Sequence, residues 1–288
     1  MRTIVSLTLL LALEAGARAV TTIDPGNHYA YGANIGWIEA RGDTAHGAVI
    51  GEYVCSGSLY AANVGWICIG GGSPANSIQY QNNSATDYGL NHDGFGNLRG
   101  CAYGANIGWV NFENTGAPKV DLVTGKLGGY AWSANCGWIS LSNAQAVVQT
   151  ASIAPGADSD GDGIADAWEL TYTNTLTAFT ATTDTDHDGS TDLQEYLAGT
   201  NPLDPNDYLH ITTFNRGSGG DPTYIDMAWS SKPTRFYALE RRDAFDPASP
   251  WGQYTVGWEN LLGWNNVGFN DTLTQRFYRV RAIRPLSP

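Results

Sequence analysis

The chain has 288 residues, 42% apolar and only 15% charged, with 35 Gly, 10 Trp, 15 Tyr and a formal net charge of −13. A chain this aromatic can bury enough apolar surface to offset its ordering entropy, which excludes disorder as the dominant state. An excess of negative charge repels phosphate, which excludes a generic nucleic-acid binder.

The first segment reads as an address. Arg2 precedes an apolar run from Ile4 to Leu13, and Ala17-Arg18-Ala19 supplies the small residues of an A-x-A cleavage pattern. A secretory signal peptide over residues 1–19 is therefore expected, placing the mature protein outside the cell or on its surface. The run is ten residues long, too short to span a bilayer, and no later stretch reaches the length of a membrane helix. A transmembrane protein is not expected.

Residues 20–150 are organised by an internal repeat. Four segments share one pattern: Ala30–Ile38, Leu59–Ile67, Ala102–Val110 and Ala131–Ile139, each centred on Ala-Asn-x-Gly-Trp. Their Trp residues are spaced by 29, 43 and 29, so the whole unit also repeats at 72. Fixed periods of this kind mark supersecondary units that share a core. Aromatic and β-branched residues flank a short stretch of Asn and Gly, two residue types that tolerate the positive φ of tight turns, so each segment is expected to be a β-hairpin. A turn centred on the Asn makes Tyr31/Trp37, Tyr60/Trp66, Tyr103/Trp109 and Trp132/Trp138 cross-strand pairs. Further hairpins are expected at Gly94–Leu98 and Val123–Leu127, turning each unit into a three-stranded meander.

Repeated aromatics at strand spacing are more often core than platform, so the ladder is expected to be packed inside. The alternative is an exposed face on which sugar rings stack. Cys55, Cys68, Cys101 and Cys136 all lie here. Export allows disulfides, with Cys55–Cys68 and Cys101–Cys136 the favoured pairing, while small buried thiols are the other reading. Residues 30–143 resemble a Gly-Tyr-Ala-Trp…Asn-x-Gly-Trp repeat of secreted and surface proteins of environmental bacteria. The resemblance implies architecture and secretion, and no activity.

The middle segment, 151–207, carries the strongest chemical signal. Residues 158–169 read Asp-Ser-Asp-Gly-Asp-Gly-Ile-Ala-Asp-Ala-Trp-Glu, and 184–195 read Asp-Thr-Asp-His-Asp-Gly-Ser-Thr-Asp-Leu-Gln-Glu. Both satisfy D-x-[DN]-x-[DN]-G-x₅-E. A cation of calcium's size takes six to eight oxygens at about 2.3–2.6 Å, and alternate residues of a tightly wound loop point inward to supply them. Asp158, Asp160, Asp162, the Ile164 carbonyl, Asp166 (through water) and the two oxygens of Glu169 are the expected ligands of one ion. Asp184, Asp186, Asp188, Ser190, Asp192 and Glu195 repeat those roles for a second calcium ion.

A short helix is expected after each loop, the second stopping at Gly199, but none before either loop. The arrangement resembles the thrombospondin type 3-like calcium repeats of bacterial secreted proteins, and more distantly the dockerin half-hand. The former implies calcium-stiffened spacers between domains, the latter a cohesin partner.

Residues 208–288 alternate in strand fashion at Leu209–Phe214, Tyr224–Trp229, Phe236–Leu239 and Phe277–Ala282, which suggests a small β-sandwich. With Arg276–Arg281 as its most characteristic stretch, the module resembles fibronectin type III-like domains. Trp251, Trp258 and Trp264 are either edge packing or a binding face. Nucleophile-elbow, zincin, P-loop and dinucleotide motifs are all absent from the sequence. A glycosidase needs only two carboxylates brought together in space. Yet repeats, a calcium segment and a small module leave no large catalytic scaffold.

The expected protein is therefore mainly β, secreted, calcium-binding and non-catalytic, with an adhesive or structural role. Glycans or other surface proteins are its expected partners. A carbohydrate-binding protein and a self-associating filament subunit are the alternatives.

Overall fold

The computed structural model describes residues 21–42, 45–246, 248–254, 261–273 and 275–287. The expected signal peptide and Trp258 lie outside them. The fold is mainly β, built from antiparallel sheets with two short helices. Among the described residues no helix is long and apolar enough to cross a membrane.

All four repeat segments are hairpins. They are β1 (Ile23–Gly32) with β2 (Gly36–Glu39), β3 (Ser56–Ala61) with β4 (Gly65–Gly71), then, after β5 (Leu90–His92), β6 (Leu98–Gly104) with β7 (Gly108–Phe112). The short pair β8 (Lys119–Val120) and β9 (Leu127–Gly128) precedes the fourth hairpin, β10 (Tyr130–Ser133) with β11 (Gly137–Ser140), and β12 (Val148–Thr150) follows. Neighbouring hairpins pair in sequence, and β11 returns to β1 through Tyr31–Ser140 and Gly32–Ile139. The eight hairpin strands thus close into a barrel, and closure removes the free edges of an open sheet. The expected meander is complete in the third unit, where β5 pairs β6.

The register matches the aromatic arithmetic. Tyr31 faces Trp37, Tyr60 faces Trp66, Tyr103 faces Trp109 and Trp132 faces Trp138 across their hairpins. Their orientation is the reverse of the expectation of a packed core. These rings are 38–50% exposed and stand on the outside of the barrel. The interior is filled instead by the alternate residues, among them Ile38, Ile67, Ala102, Val110, Ala131 and Ile139. At the turn end the inward positions are small, Gly32, Ala61, Gly104 and Ser133, and the buried side chains of Ile35 and Ile107 fill the space beside Gly32 and Gly104. A Cβ on Gly32 would lie 2.8 Å from Cγ1 of Ile35. A period-2 strand buries one face, and here the aliphatic set is the one small enough to converge there.

Of the two residue types expected to carry positive φ in the turns, glycine does so. Gly36, Gly65, Gly108 and Gly137 take the positive φ, at 71–81°, whereas the four repeat Asn do not. The Asn side chains instead stitch the hairpins together. Nδ2 of Asn63 donates to the Ile35 carbonyl, Asn106 to Val64 and Asn135 to Ile107, and Asn34 closes the circle on Cys136, at 3.0–3.2 Å.

The cysteines divide by the same alternation. Cys55 and Cys136 point into the core, while Cys68 and Cys101 lie on half-buried outward positions. Each favoured pair thus joins an inward to an outward residue, and all four thiols are free.

Helices α1 (Asp166–Tyr172) and α2 (Asp192–Ala198) each follow an acidic loop. They share a small aromatic core in which Trp168 meets Tyr172, Phe179 and Tyr196 at 5.1–5.6 Å. The C-terminal module has two three-stranded sheets. One holds β13 (Ile211–Arg216) and β14 (Tyr224–Trp229), the other β15 (Phe236–Arg242) and β16 (Gly252–Gln253); β17 (Asn266–Asn270) completes the first and β18 (Phe277–Ile283) the second. Ile225, Met227 and Phe269 from one sheet share a core with Tyr237, Leu239 and Val280 from the other. Trp264 is buried in this core, and the guanidinium groups of Arg242 and Arg279 each lie over the Trp251 ring at 4.5 Å.

Candidate metal centre

Each acidic loop winds because its own backbone N–H groups donate to its carboxylates. In the first, Gly161 and Gly163 donate to Asp158 and Ile164 to Asp162, at 2.8–3.0 Å. In the second, Gly189 donates to Asp184, Asp188 to Asp186 and Ser190 to Asp188, at 2.7–3.2 Å. The fourth and sixth loop positions sit in the left-handed region in both: Gly161 and Gly163, then His187 and Gly189. The shared winding brings Asp158, Asp160 and Asp162 together, and likewise Asp184, Asp186 and Asp188, with ligand oxygens of each triad within 4.8 Å of one another.

The helices add a glutamate to each triad. Glu169 and Glu195 are fully buried at the first turns of α1 and α2. Neither oxygen of Glu169 has a hydrogen-bond partner, and Oε2 of Glu195 has none either, while its Oε1 accepts from the Thr200 hydroxyl at 3.2 Å. One oxygen each of Asp162, Asp184, Asp186 and Asp188 is buried and unpartnered as well. Burial, then repulsion by Asp160, Asp162, Asp166 and Asp158, pushes the Glu169 carboxyl from 4.5 up to about 8. Burial and Asp186 push Glu195 up to about 8, against the pull of the Thr200 hydrogen bond. Burial is also the main cause raising Asp162 and Asp186.

Buried carboxylate oxygens without donors are costly, and a hard cation is the group that satisfies several at once. The donor set, all oxygen and dominated by carboxylates, fits calcium.

The ninth loop positions face elsewhere. The Asp166 carboxylate accepts from the backbone N–H and hydroxyl of Ser159 at 2.7 and 2.6 Å. Asp192 accepts from the Thr185 backbone and hydroxyl at 3.1 Å, from the Thr180 N–H at 3.2 Å and from the Thr183 hydroxyl. These two acids clamp the start of each loop to its helix. Ile164 is fully buried in the aromatic core, and Ser190 is half-buried. Sequence reasoning missed the clamp, although its signal is present: a hydroxyl residue stands at the second position of both loops, Ser159 and Thr185.

Also missed was the junction behind the second loop. The Tyr196 hydroxyl donates to Oε2 of Glu52 in the barrel at 2.9 Å, and Arg284 donates to that same oxygen at 2.9 Å. Arg235 of the C-terminal module donates to the carbonyls of Leu197 (2.8 Å) and Tyr196 (3.3 Å), at the end of α2.

No curated protein and no solved structure matches this chain. Residues 158–175 and 184–205 match the bacterial TSP3 repeat, so the two loops and the helices that follow them are calcium-binding repeats of a type found in extracellular proteins.

Proposed function

We propose that this is a secreted modular protein that binds two calcium ions and serves a non-catalytic adhesive or structural role outside the cell. The observation that carries the reading is the pair of fully buried glutamates, Glu169 and Glu195, whose unpartnered oxygens accompany the two Asp triads. One ion is assigned to Asp158, Asp160, Asp162, the Ile164 carbonyl and Glu169. The other is assigned to Asp184, Asp186, Asp188, the Ser190 carbonyl and Glu195. Bound calcium supplies positive charge that offsets the mutual repulsion of each loop.

The chain's own residues do the rest. Asp158 and Asp184 wind the loops through backbone N–H groups, Asp166 and Asp192 fasten them to the helices, and the aromatic core holds Glu169 and Glu195 in place. Twelve acids and no Lys or Arg in residues 156–207 leave the segment self-repelling without a cation. Calcium then acts as an ordering element between the barrel and the C-terminal module.

Calorimetric calcium titration of residues 20–288 tests the assignment, with limited proteolysis beside it. The expected result is two ions per chain, with cleavage in 155–207 suppressed by calcium and restored by a chelator. No binding heat together with chelator-independent cleavage would refute it.

A further inference from the structure

The barrel carries its aromatic rings outward, and around the fourth hairpin that surface becomes concave. Trp132 and Trp138, with ring centroids 5.0 Å apart, and Tyr130, 6.2 Å from Trp138, wall a cleft of about 280 Å³. Asn111, Glu113 and Thr115 complete its lining. The three rings remain 39–50% exposed. The cleft depends on a close approach by the chain at Gly116. A Cβ there would lie 2.0 Å from the Tyr130 carbonyl oxygen and 3.3 Å from Cζ3 of Trp138. Gly42 approaches Trp66, 72 residues before Trp138, in the same manner: a Cβ there would lie 3.0 Å from Cζ3 of Trp66.

The lining selects the chemistry of an occupant. Indole and phenol faces favour a flat apolar surface, whereas a carboxylate and an amide at their edge need hydrogen-bonding groups. Oδ1 of Asn111 accepts from the Cys101 thiol at 3.3 Å, which leaves its N–H₂ as a donor. Among the described residues no Lys or Arg lines the cleft, and Glu113 repels anions, so phosphate, sulfate and uronate groups are disfavoured. Its volume lies just below that of small-molecule sites, roughly 300–1,000 Å³, and suits one or two rings rather than a folded protein segment. A pyranose meets every condition, with C–H groups on its faces and hydroxyls on its rim.

We propose that this cleft binds a sugar ring of a neutral polysaccharide, seated against the tilted indoles of Trp132 and Trp138 with a C–H face on one of them and its hydroxyls on Glu113 and Asn111. The exposed pairs Tyr31/Trp37, Tyr60/Trp66 and Tyr103/Trp109 offer further platforms around the barrel, so a long glycan gains avidity over a short one. This inference goes beyond the calcium reading, since its residues lie outside both loops.

Affinity electrophoresis of residues 20–288 through separate gels of hydroxyethylcellulose, arabinoxylan, galactomannan and β-1,3-glucan tests it, with alginate and heparin as anionic controls. Retardation is expected in at least one neutral gel and in neither anionic one. Trp132→Ala and Trp138→Ala are each expected to weaken it by about tenfold or more, and Glu113→Gln more modestly, with circular dichroism unchanged. Glu113→Gln is isosteric and fully surface-borne, so its effect stands even if a Trp variant folds poorly. Migration unaffected by every neutral polysaccharide, retardation only in alginate or heparin, or retardation equal in all three variants would overturn the proposal. Calcium stoichiometry is read separately, so a failure here leaves that assignment intact, and the reverse.

Discussion

Glu169 and Glu195 set the behaviour of the metal-free loops. Both carboxyls stand at about 8 against an ordinary 4.5, with burial the first cause. A carboxyl raised in the folded state holds its proton there longer than in the unfolded chain. Its contribution to stability is therefore complete below the ordinary carboxylate range and is lost as pH rises through about 8. Metal-free protein should lose stability in this segment between pH 4.5 and 8, which thermal unfolding across that range would reveal. Calcium binding has the opposite sign, because it must displace those protons, so apparent affinity should climb with pH over the same interval. Glu169→Gln separates a ligand from a structural residue. It should weaken binding of one ion by about tenfold or more while stabilising the metal-free segment at pH 8 by an amount on the order of 1 kcal/mol. A purely structural glutamate would lose stability on that substitution, whether or not calcium is present.

At the scale of elements, the barrel rests on contacts between hairpins as much as within them. Each repeat Asn donates to the preceding hairpin around a closed circle, three of the four bonds being half-buried, among them Asn135 to Ile107 at 3.0 Å. Asn135→Ala should cost about 1 kcal/mol, the net worth of one hydrogen bond. Asn135→Asp should cost more, because a carboxylate would face the carbonyl it replaces as partner, and urea unfolding of the two variants checks the order. These contacts also mark where sequence reading stops. Hairpin positions and cross-strand partners were legible because a turn residue and a strand period of two fix them locally. Which face turns inward was not, since Trp and Ile alternate and either set is apolar. Closure of the ring decides it, because the aliphatic set fills the closed interior and the larger rings are left on the outer face. The same limit applies to β17: Asn-Val-Gly-Phe-Asn has no strong strand signal and is a strand because Tyr224–Ala228 pairs with it. The gathering of each Asp triad beside a buried glutamate was legible, because spacing along a tight loop is local. Asp166 and Asp192 were the exception, as their carboxylates are claimed by Ser159 and Thr185.

Over the whole molecule, the calcium segment is fastened to both neighbours through one side chain's surroundings. Tyr196 directly follows Glu195 in α2 and is buried, with its hydroxyl on Glu52 of the barrel and the Arg284 guanidinium over its ring at 4.8 Å. Arg284 also binds that hydroxyl, and two residues later the Leu286 carbonyl accepts from Ile153 N–H at 2.9 Å. Arg235 closes the other side by donating to the last carbonyls of α2. Fixing Glu195 on a cation thus fixes the residue on which barrel and C-terminal module meet, so loss of the ion should loosen the junction as well as the loop. Small-angle scattering of residues 20–288 should show a larger radius of gyration with chelator than with calcium, while the far-ultraviolet dichroism of the β-sheets stays constant. Tyr196→Phe keeps the ring, the helix and the calcium ligands but removes the hydroxyl, at a cost of about 1–2 kcal/mol. It should bind two ions as before and yet expand at a lower chelator concentration. Scattering curves that coincide with and without chelator, in both proteins, would mean that the Glu52, Tyr196, Arg284 and Arg235 contacts hold the three parts together without the ion and that the loops order only themselves.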